Sequence, residues 1–256
     1  MNKSRRSPRR FVFAITMLVT FSSPSPAKVR VLISGGFSAP YQELLPEFEK
    51  STGITVTTVR GASGDSGPTG PMTISAELHS GQPADVVILS KEGLAELSTE
   101  GRIVTGSNVD LASVPLAVGV RTGAPRPDIS TVTAFKQTLL RAKSIGIQST
   151  SAAFLKTKVF PQLGIADALA NKLSGAGAAE VASGAVEMVV LPVSEILPVR
   201  GVDFVGTIPT DLHFVQVFSA AVVKDSKNPE ASKRLIDFLA SAKATPTVEK
   251  WGMKRP

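Results

Sequence analysis

The sequence predicts an α/β fold with a parallel sheet. Runs of β-branched and aliphatic residues alternate along the chain with segments that are apolar on one helical side, as in α/β proteins. The run Val86–Leu89 is apolar without a break, which is typical of a parallel strand buried on both faces. A hydrophobic fraction of 43% with 19% charged residues indicates a globular chain, and 256 residues suffice for one large domain or two of ordinary size.

The first predicted strand, turn and helix are the unit around which we interpret the rest. Val29–Ser34 is rich in β-branched residues and predicts a buried strand. Gly35 and Gly36 end this strand, because glycine adopts backbone angles that side chains forbid. We expect Ser38 to cap the helix that follows, and Gly53 to end it. Such a unit presents backbone N–H groups that suit an anion, although the plain alternative is that Ser38 only caps the helix.

The remaining elements follow from the spacing of apolar residues. The other strands are predicted at Thr55–Arg60, Val86–Leu89, Val114–Arg121, Ser144–Ile147, Met188–Pro192, Asp203–Thr207 and Phe214–Val223. The other helices are predicted at Met72–Ser80, Glu92–Thr99, Thr131–Ala142, Ala152–Leu163, Asp167–Leu173 and Pro229–Ala240. Glu180–Ser183 is predicted to fall in a further helix, and Ser194–Leu197 is predicted as a helical turn.

Three hydroxyl-rich loops lie between a predicted strand and a predicted helix. They surround Ser38, Ser63–Thr69 and Ser149–Ser151. One such loop is common, but three at equivalent places indicate a shared ligand at the carboxyl edge of the sheet. The alternative is that each hydroxyl is a helix N-cap and nothing more.

The amino-terminal region has the pattern of a secretory signal peptide. Five basic residues in the first ten precede the apolar run Phe11–Phe21, and Ser25-Pro26-Ala27 supplies small residues for cleavage near Ala27. The formal charge of +7 is largely a property of this segment. Its removal leaves 23 basic against 21 acidic residues, about +2, so the charge is no argument for nucleic-acid binding.

Few residue types suited to catalysis or metal binding are present. The chain has no cysteine, which excludes disulfides and thiolate chemistry, and its two histidines are His79 and His213. We expect His79 to be a solvated surface residue, whereas His213 either lies at the surface or faces the ligand. Without a nucleophile motif or a clustered carboxylate pair, we expect no catalytic residues, no metal and no cofactor.

Several motifs in this order resemble the periplasmic molybdate-binding proteins of ABC importers. They span roughly Lys28 to Lys254. The motifs are Ser34-Gly-Gly-Phe-Ser38, Leu45-Pro-Glu-Phe-Glu-Lys-Ser-Thr-Gly53, Gly61-Ala-Ser63, Gly81-Gln-Pro-Ala-Asp-Val-Val-Ile88, Ser194-Glu-Ile-Leu-Pro198 and Trp251-Gly-Met253.

The resemblance implies a two-lobed clamp with mixed, mostly parallel sheets and two crossings between lobes. After the signal peptide (1–27), lobe one would hold 28–111 plus 217–256, and lobe two would hold 112–216. The implied protein is a periplasmic monomer without catalytic activity. It binds a molybdate- or tungstate-like oxyanion between the lobes and delivers it to an ABC permease in the inner membrane.

The resemblance also implies the ligand contacts, which would be serine hydroxyls and backbone N–H groups at helix starts. Mapped onto this chain, they are Gly36, Ser38, Ser63, Thr69, Ser151, Ala152 and Gly175.

One departure from the family concerns the ligand. The molybdate binders supply a tyrosine hydroxyl where this chain has Pro192, which offers neither a hydroxyl nor a backbone donor. The loop Gly64–Pro71 is also longer than a molybdate site needs. A small polycarboxylate is therefore the alternative ligand, and it could recruit Arg60, Arg121 or His213.

Other functions remain open at this stage. An enzyme could use Ser38, Ser63 or Ser151 as a nucleophile, although no base accompanies them, and a sensory role could share the same clamp. Three further residues carry structural expectations. Asp85 is interpreted as a structural carboxylate that caps the Ser63 loop, Tyr41 as a ligand neighbour or a core residue, and Trp251 as a core residue.

Overall fold

The computed structural model describes residues 27–60, 74–212 and 214–256, which form a mixed α/β fold. The strands are β1 (Lys28–Ile33), β2 (Thr55–Arg60), β3 (Val86–Ser90), β4 (Val109–Arg121), β5 (Ile145–Gly146), β6 (Leu173–Ser174), β7 (Met188–Pro192), β8 (Val202–Thr207) and β9 (Val215–Val222). The helices are α1 (Ser38–Thr52), α2 (Ile74–His79), α3 (Lys91–Thr99), α4 (Val132–Arg141), α5 (Ser149–Phe154), α6 (Phe160–Gln162), α7 (Ala166–Leu169), α8 (Ala178–Ser183), α9 (Val193–Ile196), α10 (Pro229–Ala240) and α11 (Thr245–Lys250).

Two long strands join the sheets of the lobes. The strand order is β2-β1-β3-β9-β4-β7-β5-β6, and β8 pairs with β4. Parallel pairs occupy both ends of this order, whereas the pairs around β4 and β9 in its centre are antiparallel. The predicted lobe boundaries at Leu111 and Gln216 fall inside β4 and β9, and the division at these residues stays a prediction. Below, lobe one denotes the β2-β1-β3 part of the sheet with its helices, and lobe two denotes the β7-β5-β6 part with its helices.

The hydrophobic core follows the two faces of this sheet. On one face a single cluster runs through both lobes, from Tyr41 and Phe48 of α1 to Val181 and Ile196 of α8 and α9. On the other face each lobe has a cluster of its own. The alternation of side chains along β1 and β9 produces this division, because neighbouring residues of a strand point to opposite faces.

Most predicted elements are confirmed within two or three residues, but four predictions are wrong in detail. The strand predicted at Val114–Arg121 begins five residues earlier, at Val109. Ser38 is the first residue of α1 and not its cap, because a 3-10 turn over residues 35–37 precedes the helix and no side chain caps it. The helix predicted at Asp167–Leu173 ends at Leu169, and Leu173 begins β6. The helix predicted from Ala152 begins at Ser149 and continues through a π-helical turn into α6.

The structure shows the surroundings of three residues whose roles were predicted, Tyr41, Trp251 and His79. Tyr41 is a core residue that is fully buried, and its hydroxyl forms a 2.7 Å hydrogen bond with the hydroxyl of Thr58. Burial raises the pKa of Tyr41 to about 12, and this effect outweighs the hydrogen bond with Thr58, which lowers the pKa. Trp251 is only partly buried, and its indole N–H donates to Glu43. His79 is at the surface as expected, with Nε2 3.6 Å from a carboxylate oxygen of Glu100.

The described helices are all too short or too polar to cross a lipid bilayer.

Candidate functional site

The candidate site lies where strands of both lobes end. In lobe one the parallel strands β1 and β3 end at the same edge, and in lobe two β5 and β7 do the same. A cavity of about 300 Å³ opens between these edges. Its lining comes from both lobes and consists of Gly35, Ser38, Gln148, Gly177, Ala178, Ala179, Glu180, Leu191, Ser194, Glu195, Pro198 and Val199.

Four helices begin at this cavity, and one of them is α9, whose second residue is Ser194. Ser38 starts α1, Gln148 immediately precedes α5, and Gly177 immediately precedes α8. The N–H groups of a first helical turn have no partner within their own helix, and the helix dipole places partial positive charge there. The helix starts therefore contribute positive potential to the cavity from both lobes, and the carboxylates of Glu180 and Glu195 in the lining act against it.

The start of α5 is fixed against the turn before α8 by the side-chain amide of Gln148. The Gln148 amide donates from Nε2 to the carbonyl of Gly175 over 2.8 Å. A Cβ at Gly177 would lie 3.0 Å from that same nitrogen, and a Cβ at Gly146 would lie 2.3 Å from the Ala176 carbonyl oxygen. These glycines let two helix starts approach each other on the lobe-two side of the cavity.

One hydrogen bond links the two lobes beside the cavity. The Ser194 hydroxyl, at the start of α9, donates to the carbonyl of Gly36 over 2.6 Å. Ser194 is 1% exposed and Gly36 is buried, so the bond is shielded from water. It holds α9 of lobe two against the turn that precedes α1 of lobe one.

Two buried side-chain oxygens near this cleft have no hydrogen-bond partner among the described residues. They are Ser34 Oγ, just after β1, and Gln216 Oε1 on the crossing strand β9. Gln216 is 2% exposed and lies two residues from Phe218, hence on the sheet face that carries α1, α8 and α9. Buried polar atoms of this kind usually have a partner, which a bound ligand or water can supply.

Carboxylates are the ionisable groups of the cavity lining within the described part of the chain. Glu180 Oε2 accepts a 2.9 Å hydrogen bond from the N–H of Gly177 and so caps α8. Glu195 also lines the cavity. Among the described residues, no group of three or more metal-ligating side chains is present.

The predicted ligand residues divide into three groups in the structure. Ser38 lines the cavity, and Gly36 lies directly behind it. Ser151, Ala152 and Gly175 are not among the lining residues: the Ser151 hydroxyl donates to the carbonyl of Gln148, and so does the Ala152 N–H. Ser63 and Thr69 lie outside the described residues, as does His213.

The lining residues Gln148, Gly177 and Ser194 were not predicted as ligand contacts. Gln148 opens the hydroxyl-rich segment that ends at Ser151, and Ser194 opens a motif already quoted, so the sequence contained a positional signal for both. Gly177 has no such signal, since only its contact with Gln148 distinguishes it.

The two predicted arginines occupy opposite edges of the fold. Arg60 is the last residue of β2 and pairs with Ile33, at the cleft edge of lobe one. Arg121 ends β4 beyond Val120, which pairs with Met188 at the start of β7. Since β7 ends at the cleft, Arg121 lies at the far edge of lobe two, and its predicted recruitment to a cleft ligand is wrong.

Comparisons with known proteins bear on the family and the fold. The family model of bacterial extracellular solute-binding proteins matches residues 29–254. The aconitate isomerase of a Pseudomonas species is 34% identical, with 96% of this chain and 97% of that protein covered. The molybdate-binding protein ModA of Azotobacter vinelandii is 26% identical, with 95% and 96% covered. The solved Azotobacter vinelandii periplasmic molybdate-binding protein superposes with a TM-score of 0.71 at 18% identity, covering 89% of this chain and 99% of that chain.

Proposed function

This chain belongs to the bacterial extracellular solute-binding protein family, and we propose that it binds a small organic polycarboxylate between its two lobes. The observation that carries this proposal is the cavity of about 300 Å³ at which helices from both lobes begin. An anion held there touches both lobes at once, so binding favours the closed arrangement of the clamp. A membrane permease of the ABC importer type can then distinguish the loaded protein from the empty one.

The end of β7 favours a polycarboxylate over the molybdate-like oxyanion that the resemblance implies. Pro192 is buried at the cleft end of this strand and offers no hydrogen-bond donor to a tetrahedral anion. The cavity volume of about 300 Å³ is at the lower end of the range for small organic ligands. This volume is larger than a five-atom oxyanion requires. The 34% identity to a protein named for aconitate, a tricarboxylate, supports the same ligand class.

A second candidate function is isomerisation of the same ligand, which the name of that relative favours. The cavity carries two carboxylates, Glu180 and Glu195, that can serve as a base. In aconitate, a base would remove a proton from the methylene carbon. Return of a proton to the far carbon of the allylic unit would then move the double bond, with no net change in atoms or charge.

A thermal-shift panel on the chain from Lys28 onward tests the ligand class. We expect aconitate or tricarballylate to raise the melting temperature, because a ligand at a hundredfold excess over its Kd adds about 2.7 kcal/mol to the unfolding free energy. For a chain of this size the midpoint rises by about 5–10 °C. Molybdate, tungstate, sulfate and a neutral sugar serve as comparisons.

Each result of this panel has a defined meaning. A shift with molybdate but none with any polycarboxylate would overturn the proposed ligand class, and a shift with the sugar alone would refute anion binding altogether. Proton NMR of aconitate in D₂O with the same protein tests the second candidate. Conversion with deuterium incorporation supports isomerisation, and an unchanged spectrum leaves binding as the function.

Two arginine variants test the location of the site. Arg60 ends β2 beside Ile33 at the cleft edge, so Arg60→Gln removes a positive charge from this edge and is expected to weaken binding of the active polycarboxylate about tenfold, the effect of about 1.4 kcal/mol. Arg121→Gln, the matched control at the opposite edge, is expected to leave the affinity unchanged. Isothermal titration of both variants measures the difference. Equal losses in the two variants, or a loss only in Arg121→Gln, would place the ligand elsewhere.

A further inference from the structure

We propose a second anion-binding site on lobe one, at the sheet edge opposite the interlobe cleft. A cavity of about 550 Å³ lies at this edge, where β1 begins. Four basic residues line it: Lys28 and Arg30 from β1, Arg102 after α3, and Lys227 before α10. None of them forms an ion pair with any residue of the described part of the chain.

The acidic groups at this cavity do not neutralise the four cations. Its two carboxylates are Asp85 and Asp225, so two positive charges remain in excess. Moreover, the Asp85 carboxylate is 5% exposed and already accepts hydrogen bonds from Ser226 and from the backbone N–H groups of Arg30, Lys227 and Asn228. Four like charges around one cavity repel one another, and an anion between them relieves that repulsion.

The shape and composition of the cavity indicate a small organic anion. Leu78, Ala84 and Val223 form a buried apolar floor beneath the charged rim. The volume is within the range for small-molecule sites. Guanidinium groups bind carboxylate and phosphate oxygens through paired hydrogen bonds, so Arg30 and Arg102 suit either group. The occupant is therefore a di- or trivalent anion of phosphate or carboxylate type.

The second site is separate from the interlobe cleft. Lys28 and Ile33 are the two ends of β1, about 16 Å apart at the rise of an extended strand. A ligand at one edge cannot contact the other. Variants of Arg60 and of Arg30 therefore report on different sites.

Isothermal titration with inorganic pyrophosphate, in metal-free buffer at fixed ionic strength, tests the proposal. We expect binding to the chain from Lys28 onward that weakens at least tenfold in the double variant Arg30→Gln/Arg102→Gln. The control Arg141→Gln/Arg200→Gln removes two exposed lobe-two arginines and is expected to bind as the parent does. Arg60→Gln is also expected to retain pyrophosphate binding.

Three outcomes overturn the second site. They are no pyrophosphate binding, equal losses in both double variants, and a loss in Arg60→Gln alone, which would assign the pyrophosphate to the cleft. Vesicles containing phosphatidylglycerol distinguish the source of the anion. Vesicle binding that depends on Arg30 and Arg102, without binding of soluble pyrophosphate, would replace a soluble ligand by a membrane surface.

Discussion

Replacing Asp85 with alanine is expected to lower the unfolding free energy by about 3–5 kcal/mol. The carboxylate accepts the N–H of Arg30 at 2.8 Å on one oxygen, and the Ser226 hydroxyl with the N–H groups of Lys227 and Asn228 on the other. It thereby ties β1 and the start of β3 to the start of α10. Alanine leaves the N–H groups of Arg30 and Lys227 without their acceptor, and each such loss costs about 1–3 kcal/mol, whereas the Asn228 N–H keeps a 3.1 Å bond to the Ser226 hydroxyl. Asparagine retains one acceptor oxygen, so Asp85→Asn is expected to lose less.

The same residue makes stability depend on acid. Burial alone would raise the pKa of Asp85, but its hydrogen bonds outweigh this effect and hold the pKa below the ordinary value of 3.8. A carboxylate with a lowered folded-state pKa contributes its full stability above the unfolded pKa, and that stability is lost as the pH falls through the folded value. The difference in unfolding free energy between the parent and Asp85→Asn should therefore be largest at neutral pH and shrink below about pH 4.

Urea unfolding at pH 7 and pH 3 measures both effects. The control is Asp128→Asn, since Asp128 is an exposed aspartate whose carboxylate accepts hydrogen bonds from Ser130 only two residues away. Its replacement is expected to leave the unfolding free energy nearly unchanged. If Asp85→Ala unfolds at the same urea concentration as Asp128→Asn, the bonds to Ser226, Lys227 and Asn228 do not stabilise the fold.

The sequence predicted those parts of the fold that local patterns determine. Met188–Pro192 and Pro229–Ala240 have the predicted bounds, because one is a short apolar run and the other an amphipathic helix opened by proline. β6 was missed because it has only two residues, Leu173 and Ser174, and its pairing with β5 is not visible in its own sequence. A short strand of this kind depends on its neighbour and not on local propensity.

The site was less predictable because its contacts join distant parts of the chain. Asp85 was correctly interpreted as structural, but the hydrogen bonds that it accepts come from residues 226–228. Its expected partner, the loop of Ser63, lies outside the described residues. Ser151 is 1% exposed, and its hydroxyl donates to the carbonyl of Gln148. Its role and that of Ser63 as ligand contacts therefore remain predictions. Glycine at position 36 was expected because of the backbone angles that it allows. In the structure, the ring of Phe218 leaves no room for a Cβ at this position.

The second large effect is expected for Gly36→Ala. A Cβ at Gly36 would lie 1.9 Å from Cζ of Phe218 and 2.6 Å from both Cε atoms. Phe218 is 2% exposed and packed in the core, so its ring has no solvent-filled space to enter. Overpacking of a core costs typically 1–3 kcal/mol, and this contact is short enough that we expect a loss of about 3 kcal/mol or more. Movement of the turn would also disturb the Ser194 bond to the Gly36 carbonyl, so ligand affinity should fall as well.

Two further variants separate this clash from the ordinary effect of adding a methyl group. At Gly206 the nearest atom to an added Cβ is Cδ1 of Ile129 at 3.5 Å, so Gly206→Ala should change the unfolding free energy by no more than about 1 kcal/mol. In the double variant Gly36→Ala/Phe218→Ala the clash is absent. Its loss should therefore be smaller than the sum of the two single losses by at least about 1 kcal/mol. Strictly additive losses in urea unfolding, or a Gly36→Ala variant as stable as Gly206→Ala, would show that the Phe218 ring does not require glycine at position 36.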